Sequence, residues 1–402
     1  MIARKRAIIY HGNMEYFFIL GTQPALSAAE LHSVLGVSRA SLLARDFLLW
    51  PADREIAPAK LIAALGGTIK IGVVRHWSEP AKLLDNLEAL AVKRQAGQTG
   101  KFNFGLSDYG LKPLSRNLGL ELKKRLKQKN IACRLVTSQE RTLSSVVVTQ
   151  NKLLGRGVEI ILFNDKGRIL VGETLAVQPF KELSRRDYGR PARDDLSGML
   201  PPKLAQIMIN LAQVRDKEAL LIDPFCGSGT ILSEAMLLGF TQVLGSDISP
   251  LAVESSLKNI AWLKERYDLS GARCRVLRKN ALDLPKFVKA GTAEAIVTEP
   301  YLGPQRGRLE FAKVIAELEG LYSQAIAACR TVLKPGGRLV MAWPLFYGNK
   351  PVNPDCAGFK TIRSLPAGLE TSQHFQLSPR HNLVYSRPNQ KVHREIAILE
   401  KL

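Results

Sequence analysis

One segment constrains the fold of this chain more than any other. Residues 220–230 read Leu-Leu-Ile-Asp-Pro-Phe-Cys-Gly-Ser-Gly-Thr, so that an apolar run ends in Asp223 and a glycine turn follows. A helical pattern starts at Thr230. This order predicts a buried parallel strand that leads through a tight turn into a helix N-terminus. Turns of this kind, at the carboxyl ends of strands, are where α/β sheets bind nucleotide-like ligands.

The residues around the glycines exclude two common nucleotide sites. The dinucleotide fingerprint needs a third glycine, but Leu232 stands at that position after Gly227 and Gly229. A P-loop needs a lysine directly after its last glycine, where this chain has Thr230. The carboxylate of Asp223 would repel a pyrophosphate and attract a cationic amino group. S-adenosylmethionine carries such a group, while an ordinary strand-to-helix turn is the alternative that remains open.

Two further strand ends fit the same cofactor. Residues 242–247 are mostly apolar and end in Asp247, about 20 residues after the glycine turn, which is the spacing of a ribose-binding acid. Asp247 could also cap the helix that starts at Pro250, because Asp favours N-cap positions. At the end of a third run, Asn280 or Asp283 could accept from an adenine amino group, or both could be ordinary loop residues. The predicted cofactor-binding residues are Asp223, Phe225, Gly227, Gly229, Thr230, Asp247, Ile248, Asn280, Ala281 and Asp283.

Later patterns complete the predicted sheet. Residues 333–340, Leu-Lys-Pro-Gly-Gly-Arg-Leu-Val, indicate a tight turn that starts another strand. Four strand ends in this order predict an α/β fold with the doubly wound, Rossmann-like sheet of class I methyltransferases. Residues 382–387 and 395–399 predict a closing antiparallel hairpin.

Motifs in the C-terminal half resemble a known family. They are Asp-Pro-Phe-Cys-Gly-Ser-Gly-Thr at 223–230, Gly-Ser-Asp-Ile at 245–248, Arg-Asp-Tyr-Gly-Arg-Pro at 186–191 and Gly-Met-Leu-Pro-Pro-Lys-Leu-Ala at 198–205. These motifs resemble the class I methyltransferases that modify guanine N2 in tRNA. The resemblance implies S-adenosyl-L-methionine as the cofactor, tRNA as the partner, and guanine 10, at the base of the D-arm, as the target.

The N-terminal half is similar to the same family. Residues 20–36 look like its ferredoxin-like segment, and stretches at 104–107, 119–124 and 143–148 look like its RNA-binding THUMP domain. An α+β half therefore precedes the α/β half in this interpretation. The resemblance implies a ferredoxin-like segment at 1–60, a THUMP-like domain at 61–175, a linker at 176–198 and a methyltransferase domain at 199–402.

Local patterns predict how the first 175 residues fold. Strand-like runs lie at 7–10, 16–20, 145–149 and 158–163, and helical spacing lies at 28–35 and 118–129. The mixture indicates two small α+β sandwiches in series.

The predicted catalytic loop departs from the family pattern. After the strand-like run 295–298, the family has Asp-Pro-Pro-Tyr-Gly, where this chain has Glu299-Pro300-Tyr301-Leu302-Gly303. The resemblance implies that Glu299 and the carbonyl of Pro300 hold the hydrogens of a guanine amine while Tyr301 packs against the flipped base. Because about 1 Å of misplacement can cost about 10²-fold in rate, the longer Glu299 leaves three interpretations. The loop is an active site of shifted geometry, a base-binding loop without turnover, or a purely structural loop.

Charge points to a nucleic-acid partner. The chain has 57 Lys and Arg against 36 Asp and Glu, a net charge of +21. A predicted helix at 118–129 places leucines on one stripe and Lys123, Lys124 and Lys127 off it. Such a face would collect phosphate charge through counterion release. A solvated basic helix without a ligand is the alternative.

A second basic cluster lies in the segment before the methyltransferase half. Arg186 and Arg190 belong to it and are candidate RNA contacts. Arg190 and Arg193 could equally pair with Asp187, Asp194 and Asp195 and form a rigid hinge.

Other site classes find no support in the sequence. The five cysteines are scattered without a C-x-x-C pair, which speaks against a zinc site or a disulfide framework. No apolar run approaches the ~20 residues of a membrane span, so we expect a cytoplasmic protein without a membrane partner or a metal.

Together these patterns predict an S-adenosylmethionine-dependent RNA methyltransferase that acts on an exocyclic amine, with guanine N2 of tRNA as the substrate. A DNA or rRNA amino-methyltransferase is one alternative. A non-catalytic RNA-binding protein on a degenerate methyltransferase scaffold is the alternative from another class.

Overall fold

The computed structural model describes residues 14–37, 39–110, 115–193, 199–304, 310–388 and 390–402. The chain divides into two compact units. The first contains the described residues of 1–20, 39–63 and 68–180, and the second contains those of 21–38, 64–67 and 181–402. The second unit thus includes two short segments from the N-terminal part of the sequence. The predicted strand at 7–10 lies outside the described residues.

Both halves of the sequence contain helices and strands. Up to residue 180 they are β1 Glu15–Leu20, α1 Pro24–Leu35, β2 Ser41–Ala44, β3 Phe47–Pro51, α2 Pro58–Ala64, β4 Thr68–Ser78, α3 Leu83–Gln95, β5 Phe102–Asp108, α4 Ser115–Gln128, β6 Cys133–Val136, α5 Ser145–Gln150, β7 Gly157–Asp165 and β8 Arg168–Val177. From residue 180 they are α6 Phe180–Tyr188, α7 Pro202–Leu211, β9 Leu220–Asp223, α8 Thr230–Leu237, β10 Gln242–Asp247, α9 Pro250–Arg266, β11 Arg273–Arg278, α10 Leu284–Phe287, β12 Ala293–Thr298, α11 Phe311–Val332, β13 Leu333–Phe346, β14 Lys350–Pro351, β15 Phe359–Thr361, β16 Leu383–Tyr385 and β17 Val392–Lys401.

Within its described residues, the first unit is built on one mixed sheet of eight strands. Their order is β2-β3-β1-β4-β8-β7-β5-β6. The prediction of two sandwiches in series is therefore wrong. The long strand β4 pairs with β1 on one side and β8 on the other, which joins both sets of strands into one sheet.

Helix α4 covers one face of this sheet as its spacing predicted. Leu118, Leu122 and Leu126 are all buried and pack in one cluster with Phe102 and Phe104 of β5. The predicted helix at 118–129 and the predicted strands at 16–20 and 158–163 are confirmed.

The predicted strand at 145–149 is instead helix α5. The Ser144 hydroxyl accepts a hydrogen bond from the Val147 N–H at 3.3 Å, which caps the helix N-terminus. Consecutive valines carry no alternation between polar and apolar faces, so their β propensity was a weak guide here. The local cap decides the conformation.

The second unit contains the predicted doubly wound sheet. Its order is β11-β10-β9-β12-β13-β17-β15, with β11, β10, β9, β12 and β13 parallel. Strand β17 runs antiparallel to β13 and also pairs with β16, which confirms the closing hairpin. The strand order reverses between β9 and β12, and such switch points are where open α/β sheets bind ligands.

Apolar side chains fill the second unit on both sides of this sheet. Ile222 of β9 and Ile296 of β12 are fully buried beside Tyr322 of α11. No helix in the described part of the chain has the length and hydropathy to cross a membrane.

Candidate active site at the strand ends

Asp223 lies at the carboxyl end of β9, at the switch point of the sheet. Its Oδ1 accepts hydrogen bonds from the Thr298 hydroxyl at 2.6 Å and from the Phe225 N–H at 3.2 Å. Only 1% of Asp223 is exposed. Burial raises the pKa of this carboxyl to about 7, and the nearby charges of Asp247 and Glu299 add to the rise. The site therefore holds a buried acid that a cation would help to ionise.

The glycine turn links Asp223 to the end of β10. Gly227 and Gly229 both have positive φ angles, +50° and +81°, which favour glycine. The Asp247 Oδ2 accepts the Gly227 N–H at 3.0 Å, and its Oδ1 accepts the Ser249 N–H at 2.9 Å. The predicted ribose-binding acid and the predicted turn are thus in direct contact.

Ser249, and not Asp247, is the N-cap of α9. Its hydroxyl accepts the Ala252 N–H at 3.3 Å, so the alternative interpretation of Asp247 as the cap is wrong. Next to Asp247, the side chain of Ile248 is 67% exposed. It offers an apolar surface beside the predicted ribose position.

The third strand end lies beside Asp247 as well. The Lys279 N–H donates to the backbone carbonyl of Asp247 at 3.1 Å. The Asn280 side chain caps a short 3₁₀ turn by accepting the Leu282 N–H at 3.0 Å. Ala281 in that turn is buried, and Asp283 forms an ion pair with Lys286. The predicted adenine residues therefore share one edge with the predicted ribose residue.

The loop after β12 carries the residues expected to hold a base. Pro300 and Leu302 are buried, whereas Tyr301 is 62% exposed. The hydroxyl of Tyr322, from α11, donates to the backbone carbonyl of Tyr301 at 2.6 Å. Among residues 299–304 the ring of Tyr301 is the exposed side chain, which suits it to stacking.

Glu299 has a partner that sequence reasoning did not find. The Arg394 guanidinium of β17 donates from Nη2 to Oε1 of Glu299 at 3.0 Å and from Nε to Oε2. Burial opposes the charge of Arg394, but attraction to Glu299 and the hydrogen bonds between them raise the pKa of the guanidinium. The two residues lie 95 positions apart in the sequence, and no local motif signals the pair.

Arg186 and Arg190 do not point outward. Arg186 forms a two-pronged ion pair with Glu234 of α8 at 2.7 and 3.1 Å, and Arg190 donates to the Thr230 hydroxyl at 2.6 Å. Both arginines are buried, so the structure gives them a structural role at the cofactor helix and argues against the predicted RNA contact. In the alternative hinge, Asp194 and Asp195 lie outside the described residues.

The basic helix α4 presents cations as expected. Lys124 and Lys127 are exposed and Lys123 is half-buried. Arg125 of the same helix is neutralised by Asp85, at 2.5 Å, and by a second acid. Lys124 and Lys127 therefore present exposed positive charge on this helix.

Cysteine chemistry is not favoured in the glycine turn. Burial raises the pKa of the Cys226 thiol far above its usual range, which keeps it protonated and unreactive. Within the described residues, no group of three His, Cys, Asp or Glu side chains could hold a metal ion.

The strand order and the acids at the strand ends define a class I methyltransferase fold, and comparison with known proteins agrees. Residues 190–346 match the family model UPF0020, described as RMKL-like, methyltransferase domain. The solved structure of TrmN from Thermus thermophilus aligns with a TM-score of 0.54 and 19% identity, and the alignment covers 96% of this chain and 100% of that one. That likeness extends the agreement in fold to both halves of the chain.

Curated relatives are similar over less than half of the chain. The tRNA (guanine(10)-N2)-dimethyltransferase of Methanothermobacter thermautotrophicus is 33% identical over 185 residues, 46% of this chain and 49% of that protein. The probable tRNA (guanine(10)-N2)-dimethyltransferase of Methanothermococcus thermolithotrophicus is 30% identical over 35% of this chain and 78% of that protein. The chain spans about half the length of the first of these relatives. It belongs to the UPF0020 family of RMKL-like methyltransferases, which confirms the family resemblance found in the sequence.

Proposed function

We propose that this chain is an S-adenosylmethionine-dependent RNA methyltransferase that acts on guanine N2 in tRNA, at position 10. The observation that carries the proposal is the row of acids at neighbouring strand ends. Asp223 ends β9, Asp247 ends β10 and Glu299 follows β12. One edge of the sheet thus offers a partner for a cation, a partner for a ribose and an acceptor for an amine.

The glycine turn fits the cofactor. The buried carboxyl of Asp223, with a pKa near 7, suits the ammonium group of the methionine part. Because Gly227 and Gly229 carry no side chains, a ligand could approach the backbone of the turn closely. Asp247 would hold the ribose hydroxyls, and Asn280 would border the adenine. When bound, the cofactor supplies a methyl group on a positively charged sulfur.

The loop after β12 supplies what a guanine amine needs. The amine nitrogen is a poor nucleophile, so rate must come from orientation of the two reactants. Glu299 Oε1 and the carbonyl of Pro300 would each accept one amine hydrogen, and the ring of Tyr301 would stack on the base. Stacking of this kind contributes about 1–3 kcal/mol per base. The amine proton lost on methylation leaves to water.

RNA binding is assigned to the first unit. Its helix α4 carries the exposed Lys124 and Lys127, with Lys123 beside them. These cations would contact phosphates without reading sequence. The names of the relatives support tRNA as the RNA. We expect a cytoplasmic protein, as the sequence predicted.

Methyl transfer to defined RNA tests the proposal. Purified full-length chain is incubated with radiolabelled S-adenosylmethionine and an unmodified tRNA transcript, and the nucleosides are then separated. We expect label in N2-methylguanosine, and loss of label from a matched transcript with adenosine in place of guanosine 10.

Two competitors separate the alternatives. If duplex DNA or an rRNA fragment is labelled in preference to tRNA, the methylated amine belongs to that other nucleic acid. Folded protein that binds the transcript but transfers no methyl group would favour a non-catalytic RNA-binding protein.

A further inference from the structure

The ion pair between Glu299 and Arg394 is a built feature of the site. Arg394 is 6% exposed, and 13% of the Glu299 side chain is exposed. Both nitrogens of the contact lie on one edge of the guanidinium, and both carboxylate oxygens are engaged. A two-pronged ion pair with this geometry fixes the plane of the carboxylate.

The position of Arg394 depends on the antiparallel end of the sheet. In register, Arg394 of β17 stands opposite Pro344 of β13, and β13 is the neighbour of β12, from which Glu299 follows. The arginine therefore reaches the loop across one strand. It is anchored in a buried strand rather than in a mobile loop.

We propose that Arg394 is a positioning residue, which holds the Glu299 carboxylate where it can accept the hydrogen of the substrate amine. This inference rests on the proposed function. Glutamate has one more rotatable bond than the aspartate of the family pattern, so an unrestrained Glu299 would spread its oxygens over several positions. The guanidinium selects one of them.

The ion pair leaves room for the substrate. An ionised carboxylate has about four acceptor sites on its two oxygens. Arg394 takes one on each oxygen, and the second site on each stays available to an amine hydrogen. Lysine could keep the charge but would not fix the plane, because its ammonium has no planar fork.

Kinetics of Arg394 variants in the full chain test the inference. Arg394→Lys and Arg394→Gln should lower kcat by about 10- to 100-fold, the range expected when a reacting group is misplaced by about 1 Å. The KM for tRNA and the Kd for S-adenosylhomocysteine should change less than about threefold, because neither ligand needs the carboxylate plane for binding. Arg394→Lys should retain more activity than Arg394→Gln.

A double-mutant cycle shows whether Arg394 acts through Glu299. In a Glu299→Gln background, Arg394→Gln should cost less than about threefold further in kcat, because the carboxylate it positions is gone. If the losses of kcat in the two single variants multiply fully in the double variant, Arg394 acts independently of Glu299, and the inference is overturned.

A second ion pair, made by the neighbouring residue of β17, offers a matched control. Arg380 forms an ion pair with the fully buried Glu395, the neighbour of Arg394, and its guanidinium lies over the Trp343 ring at 5.1 Å. Arg380→Gln should lower the melting temperature about as much as Arg394→Gln but leave kcat within about threefold. Equal losses of kcat in both variants would mean that the Arg394 ion pair only stabilises the fold.

The remaining outcomes separate the inference from the proposed function. Higher turnover in Arg394→Gln would show that the ion pair blocks Glu299, and would overturn the inference while the function stands. A folded wild-type chain that transfers no methyl group would overturn both.

Discussion

At the residue scale, the site depends on acids that would be costly without their partners. Asp223 is almost completely buried. The hydrogen bonds that it accepts from the Thr298 hydroxyl and the Phe225 N–H do not offset that burial, so its pKa rises to about 7. Glu299 is partly buried, but Arg394 supplies a full opposite charge. The two acids of one site are thus prepared for different tasks: Asp223 for a cation that comes and goes, and Glu299 for a fixed role.

Binding of S-adenosylhomocysteine should depend on pH through Asp223. The ionised carboxylate is the form that attracts an ammonium, so affinity should increase between about pH 5 and about pH 7, by at most tenfold per pH unit. Asp223→Asn should weaken binding by roughly 10- to 100-fold, the worth of a charged hydrogen bond, and should flatten this dependence. Isothermal calorimetry across the pH range measures both effects, and an unchanged slope in the variant would contradict the assignment.

The same residue has the opposite effect on the ligand-free fold. Its folded pKa is raised above the ordinary aspartate value of 3.8, so the stability it contributes is complete below about pH 4 and is lost as the pH rises to about 7. Ligand-free Asp223→Asn should therefore melt at a higher temperature than the wild type at pH 8. Calorimetric scans at about pH 5 and pH 8 test the sign.

Sequence reasoning located the acids at the strand ends but not their partners. Asp223 and Asp247 were predictable because a strand, a turn and a helix follow one another within a short stretch. Arg394 was not, since its contact with Glu299 depends on how β17 inserts between β13 and β15. The burial of Arg186 was missed for the same reason: Glu234 faces it from a helix 48 residues further along the chain.

At the scale of elements, the turn between β9 and α8 is shaped by two glycines with different surroundings. A Cβ on Gly229 would lie 2.4 Å from the Ser256 hydroxyl oxygen of α9, whereas a Cβ on Gly227 would meet nothing within 4 Å. Both residues have positive φ angles. The close approach of α9 therefore distinguishes them.

Gly229→Ala should destabilise the chain more than Gly227→Ala. The left-handed backbone costs an alanine about 1–2 kcal/mol at either position, and only Gly229→Ala adds a steric clash. Addition of Ser256→Ala should recover part of the loss, since it removes the closest atom. Denaturant unfolding of the three variants tests this order, and equal losses at both glycines would contradict it.

Helix α4 is the element on which the RNA proposal depends. Glutamine at Lys124 and Lys127 should lower tRNA affinity for wild-type and altered sequences alike, and should reduce the slope of log K against log salt by about one per lysine. Arg125→Gln is the matched control, because acids already balance that charge. Filter binding at several salt concentrations measures the slopes. Equal effects of Arg125→Gln would remove the helix from the RNA site.

At the scale of the whole molecule, α1 belongs to the second unit although its sequence neighbours belong to the first. Glu30 of α1 is fully buried and accepts the N–H groups of Gly66 and Gly67 at 2.9 and 2.8 Å. The Asn210 amide of α7 also donates to it, at 2.8 Å. One carboxylate thus joins three separate segments of the second unit.

Glu30→Ala should lower the free energy of unfolding by about 2–4 kcal/mol, because it leaves buried N–H groups without acceptors. Exposed Glu121→Ala is the control and should change it by less than about 0.5 kcal/mol. Urea unfolding measures both values. A Glu30 variant as stable as the control would show that this contact adds nothing.

The path of α1 also has a consequence for synthesis on the ribosome. Helix α7, against which α1 packs, follows it by about 170 residues in the chain. At roughly 5–20 residues per second, the apolar side chains of α1 are made about 10–35 s before their partner exists. Through that interval α1 lacks its partner helix α7 in the nascent chain, so we expect chaperones to bind its exposed apolar side chains early.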